Sequence, residues 1–452
     1  MTDRLRRWAT GLFEPVDAAS MAVFRIVLGA MIAWDVVRYA QEGWIYEYYI
    51  RPKYHFTYLY FDWVQPWPGN GMYIHFAVMG VAAAMVAAGL FYRAAIVLLW
   101  FLYTYKFLLE QSVYMNHYYL ISLLCFLLIW MSPHRAFSLD RLRHPEWSEM
   151  VPRWNILLLR FQLFIVYFFG AIAKLNPDWL RGEPMYSSLV NRSEGVPEIA
   201  SYLSPALLAY GIAYGGLLFD AIVPVLLCFR RSRLIGFALA TAFHAMNEIF
   251  LRIGVFSYLM TGAITIFFDP DWPRRLHLLP PRAAAPQESA QASAGVRARR
   301  VASVQWALLL GIAAYVAVQI ALPLRHFLYP GYVSWTEEGH RFAWHMKLRG
   351  KSSRMQIVAY IPETGQRMSL DPAKDLTHRQ LKKLYTFPDM LLRYVHFKRD
   401  EIRASGMGDP VIKVDWRCSL NGLPPRRLVD PDVDLAQQER SLWPATWILR
   451  GD

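Results

Sequence analysis

Nine runs of apolar residues dominate the chain up to about residue 322. They lie near 19–37, 72–91, 94–109, 117–132, 155–174, 205–228, 234–250, 254–268 and 302–322. A helix needs about 20 apolar residues to cross a hydrocarbon core about 30 Å thick, and most of these runs come close to that length. The third, fourth and eighth are short or carry polar residues. The pattern predicts a polytopic α-helical membrane bundle of about nine spans.

From about Tyr329 the pattern turns soluble. Met355 to Tyr360 reads as a strand and Glu363-Thr364-Gly365 as a turn. His378 to Ala404 has helical periodicity, broken near Pro388. Val411 to Leu420 alternates, and Asn421-Gly422 after it is a strong hairpin signal. The expectation is a C-terminal extramembrane β-rich (α+β) domain. The predicted organisation is a transmembrane bundle at 1–280, a flexible linker rich in Ala, Pro, Gln and Ser at 281–300, a last transmembrane helix at 301–328, and an outer domain at 329–452.

Composition agrees with a membrane location. Only 18% of the 452 residues are charged, where a soluble domain would carry about a quarter, and mean hydropathy is +0.19. A net charge of +13 would suggest nucleic acid in a soluble protein. Here the basic residues cluster between apolar runs, so topology accounts for them and no nucleic-acid partner is expected. With the N-terminus inside, about 17 basic residues fall in inner loops and about 7 in outer ones. Nine spans then place the C-terminal domain outside. Cys125, Cys228 and Cys418 have no metal-ligand spacing, and no metal site is predicted.

Candidate chemistry sits at the outer ends of the runs. Lys174 closes an apolar helix, with Asp178 near enough in sequence to pair with it. A cation there is either a snorkelling lysine or a functional base. Asn116-His117, Lys174 and the segment from His244 to Arg252 all fall on the same membrane face, where they could form one site. His244 and Asn247 share a helix face at i and i+3. Arg25, Asp35 and Asp220 lie inside spans and are structural ion-pair candidates, because buried charges in lipid find partners. Trp335 and Trp344 lie in a Trp-rich stretch after the last span, where interfacial anchoring is the ordinary role. Asn191-Arg192-Ser193 matches a glycosylation acceptor on an outer loop.

Several segments, in order along the chain, resemble the vitamin K-dependent gamma-glutamyl carboxylases and their bacterial relatives with a horizontally transferred transmembrane domain. They include Phe24-Arg25-Ile26-Val27, Asn116-His117-Tyr118-Tyr119-Leu120, Phe164-Ile165-Val166-Tyr167-Phe168 with Lys174-Leu175, and Asp178-Trp179. Further on come Phe243-His244-Ala245-Met246-Asn247, Gly254-Val255-Phe256-Ser257-Tyr258, Gly331-Tyr332, Trp335-Thr336, Trp344-His345-Met346 and Asp430-Pro431-Asp432-Val433-Asp434.

The resemblance implies a reaction. Reduced vitamin K, a hydroquinone, is oxidised by O2 to its epoxide. The base generated removes a γ-proton from a glutamate, and the carbanion adds CO2. It also implies roles: Lys174 as the base for the hydroquinone, and His117 in the later anionic steps. Asn116, Tyr167, His244, Asn247, Trp335, His340 and Trp344 are the expected contacts for quinol or glutamate. The implied partners are membrane lipid, an isoprenoid quinol and a secreted Glu-containing peptide or protein. The implied location is the inner membrane of a bacterium. Two positions depart from the animal pattern: Ala173 replaces a lysine and His340 a tyrosine. A quinol epoxidase without protein carboxylation, and a non-enzymatic quinone- or lipid-binding protein, are the alternatives.

Overall fold

The computed structural model describes residues 9–191, 204–251, 253–280 and 294–451. The predicted linker lies largely outside the described residues, as do Arg252 and Arg192-Ser193 of the glycosylation triplet.

Each predicted apolar run is helical. The helices are α1 (Ala19–Gln41), α2 (Gly71–Ala88), α3 (Tyr92–Leu109), α4 (Asn116–Trp130), α5 (Arg153–Lys174), α6 (Pro205–Cys228), α7 (Arg233–Leu251), α8 (Val255–Ala263) and α9 (Ala294–Leu324). Among the described residues, six are long and apolar enough to cross a membrane: α1, α2, α3, α5, α6 and Ser303–Leu328. The expected count of nine is therefore not reached. The α4 helix has 15 residues, about 22 Å of rise, which falls short of the hydrocarbon core.

Neighbours in sequence pack side by side from α1 through α8, and α8 returns against α1. The result is a ring whose apolar core includes Phe24, Phe76, Tyr103, Leu124 and Leu163. The approach of α1 to α2 depends on small residues. A Cβ on Gly29 would stand 2.6 Å from the Ala83 carbonyl oxygen and the Ala87 nitrogen. The last span lies outside the ring, little buried, and is tied to it by Tyr315, which donates to Gln162 at 2.6 Å.

Of the charges expected to pair, Asp35 does so and Arg25 bonds carbonyls instead. Arg25 and Asp35 are ten residues apart on one helix, about 15 Å of rise, too far to meet. Arg25 instead donates to the Val86 carbonyl at 3.0 Å and to that of Phe137, tying the start of α1 to the end of α2. Asp35 bonds Arg38 at 2.8 Å.

The outer domain is an antiparallel four-stranded sheet with two helices. Its strands are β1 (Lys351–Ile361), β2 (Gln366–Leu370), β3 (Val411–Leu420) and β4 (Arg426–Arg427), in the order β2-β1-β3-β4. Helices α10 (His378–Leu384) and α11 (Pro388–Ala404) contribute Leu384, Leu391 and Tyr394 to the same core as Ile357, Val414 and Trp416. Asn421 and Gly422 both take positive φ, 50° and 75°, as a tight β3–β4 turn requires.

A buried carboxylate is one of the points at which the domain sits on the bundle. Glu110, just past α3, accepts from Gln380 at 2.9 Å and Phe56 N at 3.4 Å, and bonds His55 at 3.2 Å. Phe56, from the loop after α1, belongs to the outer domain's core. Trp344 and Phe342, from the outer region, pack in the bundle's core.

Gly29→Val should lower the melting temperature in detergent, with a loss of about 1–3 kcal/mol, because backbone atoms of α2 cannot move aside. An unchanged melt would show that α1 and α2 can separate freely.

Candidate active site

Helix polarity alternates around the ring, so the C-terminal end of α5 and the N-terminal ends of α4 and α8 share one face. Lys174 lies there, in the last turn of α5, and is 6% exposed. Its Nζ donates to Asp220 Oδ2 of α6 at 2.5 Å and to the Gly170 carbonyl at 3.2 Å. The Trp179 ring lies 5.3 Å from the ammonium. The absence of a side chain at Gly170 permits this approach: a Cβ there would stand 2.8 Å from Asp220 Oδ2 and 3.3 Å from Met346 Cε.

The expected partner for Lys174, Asp178, turns elsewhere. The chain leaves α5 at Leu175, and Asn176 caps a single helical turn over Pro177–Leu180. That turn directs Asp178 to Arg181 at 2.6 Å and Asn421 at 2.8 Å. Asp220, expected as a structural ion-pair residue, is the partner of Lys174.

Three further candidates lie beside the pair. Tyr167, two turns before Lys174, shares a 2.9 Å hydrogen bond with His244 Nε2 of α7. The Phe219 ring, next to Asp220, stands 5.9 Å from Tyr167 and 3.7 Å from Phe243. Phe256 of α8 stands edge-on to His244, with ring centres 5.9 Å apart, and stacks on His117 at 5.3 Å. The segment thus joins Lys174, Asp220, Tyr167, His244 and His117 through one aromatic wall. Asn247 is half-buried, nearly one turn beyond His244.

A strap from Tyr332 to Gly350 crosses this end of the bundle. Glu337, Phe342, Trp344 and Lys347 all have φ between 55° and 65°, a backbone region that non-glycine residues enter rarely and that clusters at functional sites. Asn116 holds the strap: its Nδ2 donates to the His345 carbonyl at 2.8 Å, while its Oδ1 accepts from Tyr114. Trp344 packs on Tyr119, with ring centres 5.1 Å apart. Glu337 binds Arg349 and Lys351, and Arg349 also reaches His340 Nε2 at 2.7 Å.

Trp335, His340 and Trp344 are buried in protein rather than spread at a lipid interface. The Trp335 indole donates to the Leu449 carbonyl at 2.7 Å and borders a cavity of about 200 Å³ that also meets Asp178, Tyr332, Arg426 and Arg450. His345 was not singled out by sequence reasoning. Both of its ring nitrogens are buried without a partner, and so is His244 Nδ1. Only its place between Trp344 and Met346 in the family-like stretch hinted at a role. Among the described residues, no group of three or more His, Cys, Asp or Glu is placed to hold a metal.

The fold and site define a polytopic helical membrane protein with a buried lysine–carboxylate pair beneath an α+β outer domain. Two family models match the chain. Residues 13–272 match the HTTM domain, and residues 304–452 match the lumenal domain of vitamin K-dependent gamma-carboxylase. The chain belongs to the vitamin K-dependent gamma-carboxylase family. No solved structure matches it significantly.

Two outcomes test the site's electrostatics. Asp220→Asn leaves a buried lysine without its charge partner and should cost about 3–5 kcal/mol, read as melting temperature. The double variant Lys174→Met/Asp220→Leu should recover most of that loss; failure to recover would mean the pair does more than neutralise itself. The second outcome concerns pH. Burial pushes His345 from 6.5 down to about 3, helped by His326 and Arg349 nearby. The unfolded chain therefore takes up a proton that the folded one refuses, and stability falls as pH drops from about 6.5 towards about 3. His345→Gln should make that decline shallower in detergent melts; an identical slope would remove His345 as its source.

Proposed function

We propose that the protein is a vitamin K-dependent gamma-glutamyl carboxylase, coupling O2-dependent oxidation of reduced vitamin K to carboxylation of glutamate. The observation that carries this reading is the 2.5 Å contact between Lys174 Nζ and Asp220 Oδ2, set beside Tyr167–His244 and His117 under the strap. A general base works best when it can shed its own proton near the working pH. Asp220 is placed to receive that proton, leaving the Lys174 amine free to take one from a phenolic hydroxyl. Removing such a base costs about 10²–10⁴ in rate.

The residues fit a quinol. Phe219, Phe243 and Phe256 supply a flat apolar wall, and the unpartnered nitrogens of His244 and His345 supply buried polar contacts. When bound and with O2, reduced vitamin K supplies the base strong enough for a γ-proton. The chain's own part is to take the first proton at Lys174, to hold anionic oxygen near His117, and to keep water out with the strap. The cavity flanked by Arg426 and Arg450 gives an acidic peptide an approach from the water side.

The same reading sets the topology: N-terminus inside, outer domain outside, in a bacterial cytoplasmic membrane. The bundle (1–280) and last helix (301–328) then carry the quinol chemistry, and the outer domain (329–452) closes it.

The test uses purified protein with reduced vitamin K, O2, labelled bicarbonate and a short Glu-Glu-Leu-type peptide. Epoxide and peptide-bound label should appear together. Epoxide without label would leave a quinol epoxidase, and neither product from folded protein would leave a binding protein. Lys174→Ala should lose at least about a hundredfold in epoxide formation, and a small exogenous amine should restore part of it. Full epoxidation by Lys174→Ala would remove the base assignment.

A further inference from the structure

A second lysine lies inside the bundle, in the last turn of α3. Lys106 is 2% exposed, and its Nζ has no hydrogen-bond partner. Four aromatic rings surround it: Tyr103 at 4.4 Å, Tyr39 at 4.5 Å, Tyr118 at 4.8 Å and Phe76 at 5.5 Å. Ring faces attract a cation, and more strongly where water is excluded. The nearest carboxylate oxygen, Asp35 Oδ2, is 3.9 Å away and already bonded through its other oxygen to Arg38. Asp35 is thus one carboxylate for two cations, the buried Lys106 and the half-buried Arg38.

The cage shares a wall with the site. The Tyr118 ring that faces Lys106 also stands edge-on to His117, with centres 4.4 Å apart, and its hydroxyl is fixed by Tyr39 at 3.0 Å. Among the described residues, the charges acting on His117 are those of Arg38, Lys106 and Arg379, all cations. A helix end would stabilise Lys106 against its own carbonyls, but would not call for four rings and a withheld hydrogen bond. A buried positive charge that shares its only carboxylate with a second cation is costly until another anion approaches.

We propose that caged Lys106 is a positioning residue: a fixed positive charge that draws an oxyanion, the ionised hydroxyl of the quinol, against His117. This rests on the reading of the site as a quinol site. The cage keeps the ammonium from bonding the ligand directly. Its pull on the anion is therefore long-range and electrostatic, and it is present before the substrate arrives.

The experiment measures binding, not turnover. Purified protein in detergent is titrated with two probes of nearly one shape: neutral 2-methyl-1,4-naphthoquinone, and 2-hydroxy-3-methyl-1,4-naphthoquinone, which is ionised at neutral pH. Lys106→Met fills the cage without charge. It should weaken the anionic probe at least about tenfold and leave the neutral one within about twofold. Lys106→Arg, which keeps the charge, should bind the anion more tightly than Lys106→Met. Equal weakening of both probes by Lys106→Met, or no weakening of either, overturns the proposal while leaving the quinol site intact. If the unaltered protein binds neither probe, the quinol reading falls and this inference with it. If Lys106→Met does not fold, the comparison of Lys106→Gln with Lys106→Arg decides on the same criterion.

Discussion

A charged amine buried at the end of a membrane helix must be neutralised where it stands, and much of the site's arrangement follows from how Lys174 meets that demand. Asp220 supplies the countercharge from another helix. The two can touch only because position 170 is glycine and leaves the carboxylate room. Phe219, adjacent to Asp220, carries the aromatic wall that reaches Tyr167, His244 and, through Phe256, His117. The strap then closes over the same point with Met346. Solving one desolvation problem brings five helices and the strap to one place.

The same constraint separates two kinds of buried cation. Arg25 gives its hydrogens to the Val86 and Phe137 carbonyls at the end of the bundle opposite Lys174 and serves the fold. Arg160, in the N-terminal half of α5, likewise donates to the Ile266 and Phe268 carbonyls at 2.9 and 2.8 Å. Lys174 is bonded to a titratable acid, which is a reversible arrangement for a proton. Planar, always-charged guanidinium suits the first task, and a primary amine suits the second.

Much of the architecture was legible because it rests on periodicity. The apolar runs, the break at Pro388 and the Asn421-Gly422 turn each have a local cause. Span count was less legible: the short fourth run is a 15-residue helix as its length suggests, but length alone did not say that it falls short of a span. Pairing was not legible at all where it crosses the ring. Nothing near Asp220 points to Lys174, and the obvious neighbour Asp178 is carried away by the Asn176 cap. Lys106 lay unremarked within an apolar run, because four rings assemble around it only in three dimensions. Four of the strap's left-handed positions, Glu337, Phe342, Trp344 and Lys347, are not glycine, so its path had little signature in composition.

The two family models divide the chain between residues 272 and 304, yet the cores do not divide there. Phe56, contributed early in the chain, completes the hydrophobic interior of the outer domain, while Trp344, contributed late, completes that of the bundle. Each part lends the other an aromatic side chain. The interior of the bundle is therefore incomplete until the strap has been made and packed against it. The outer domain in turn can finish folding only against a bundle already in place. Assembly is mutual, and the strap that completes the bundle's interior also covers Lys174 and Asp220.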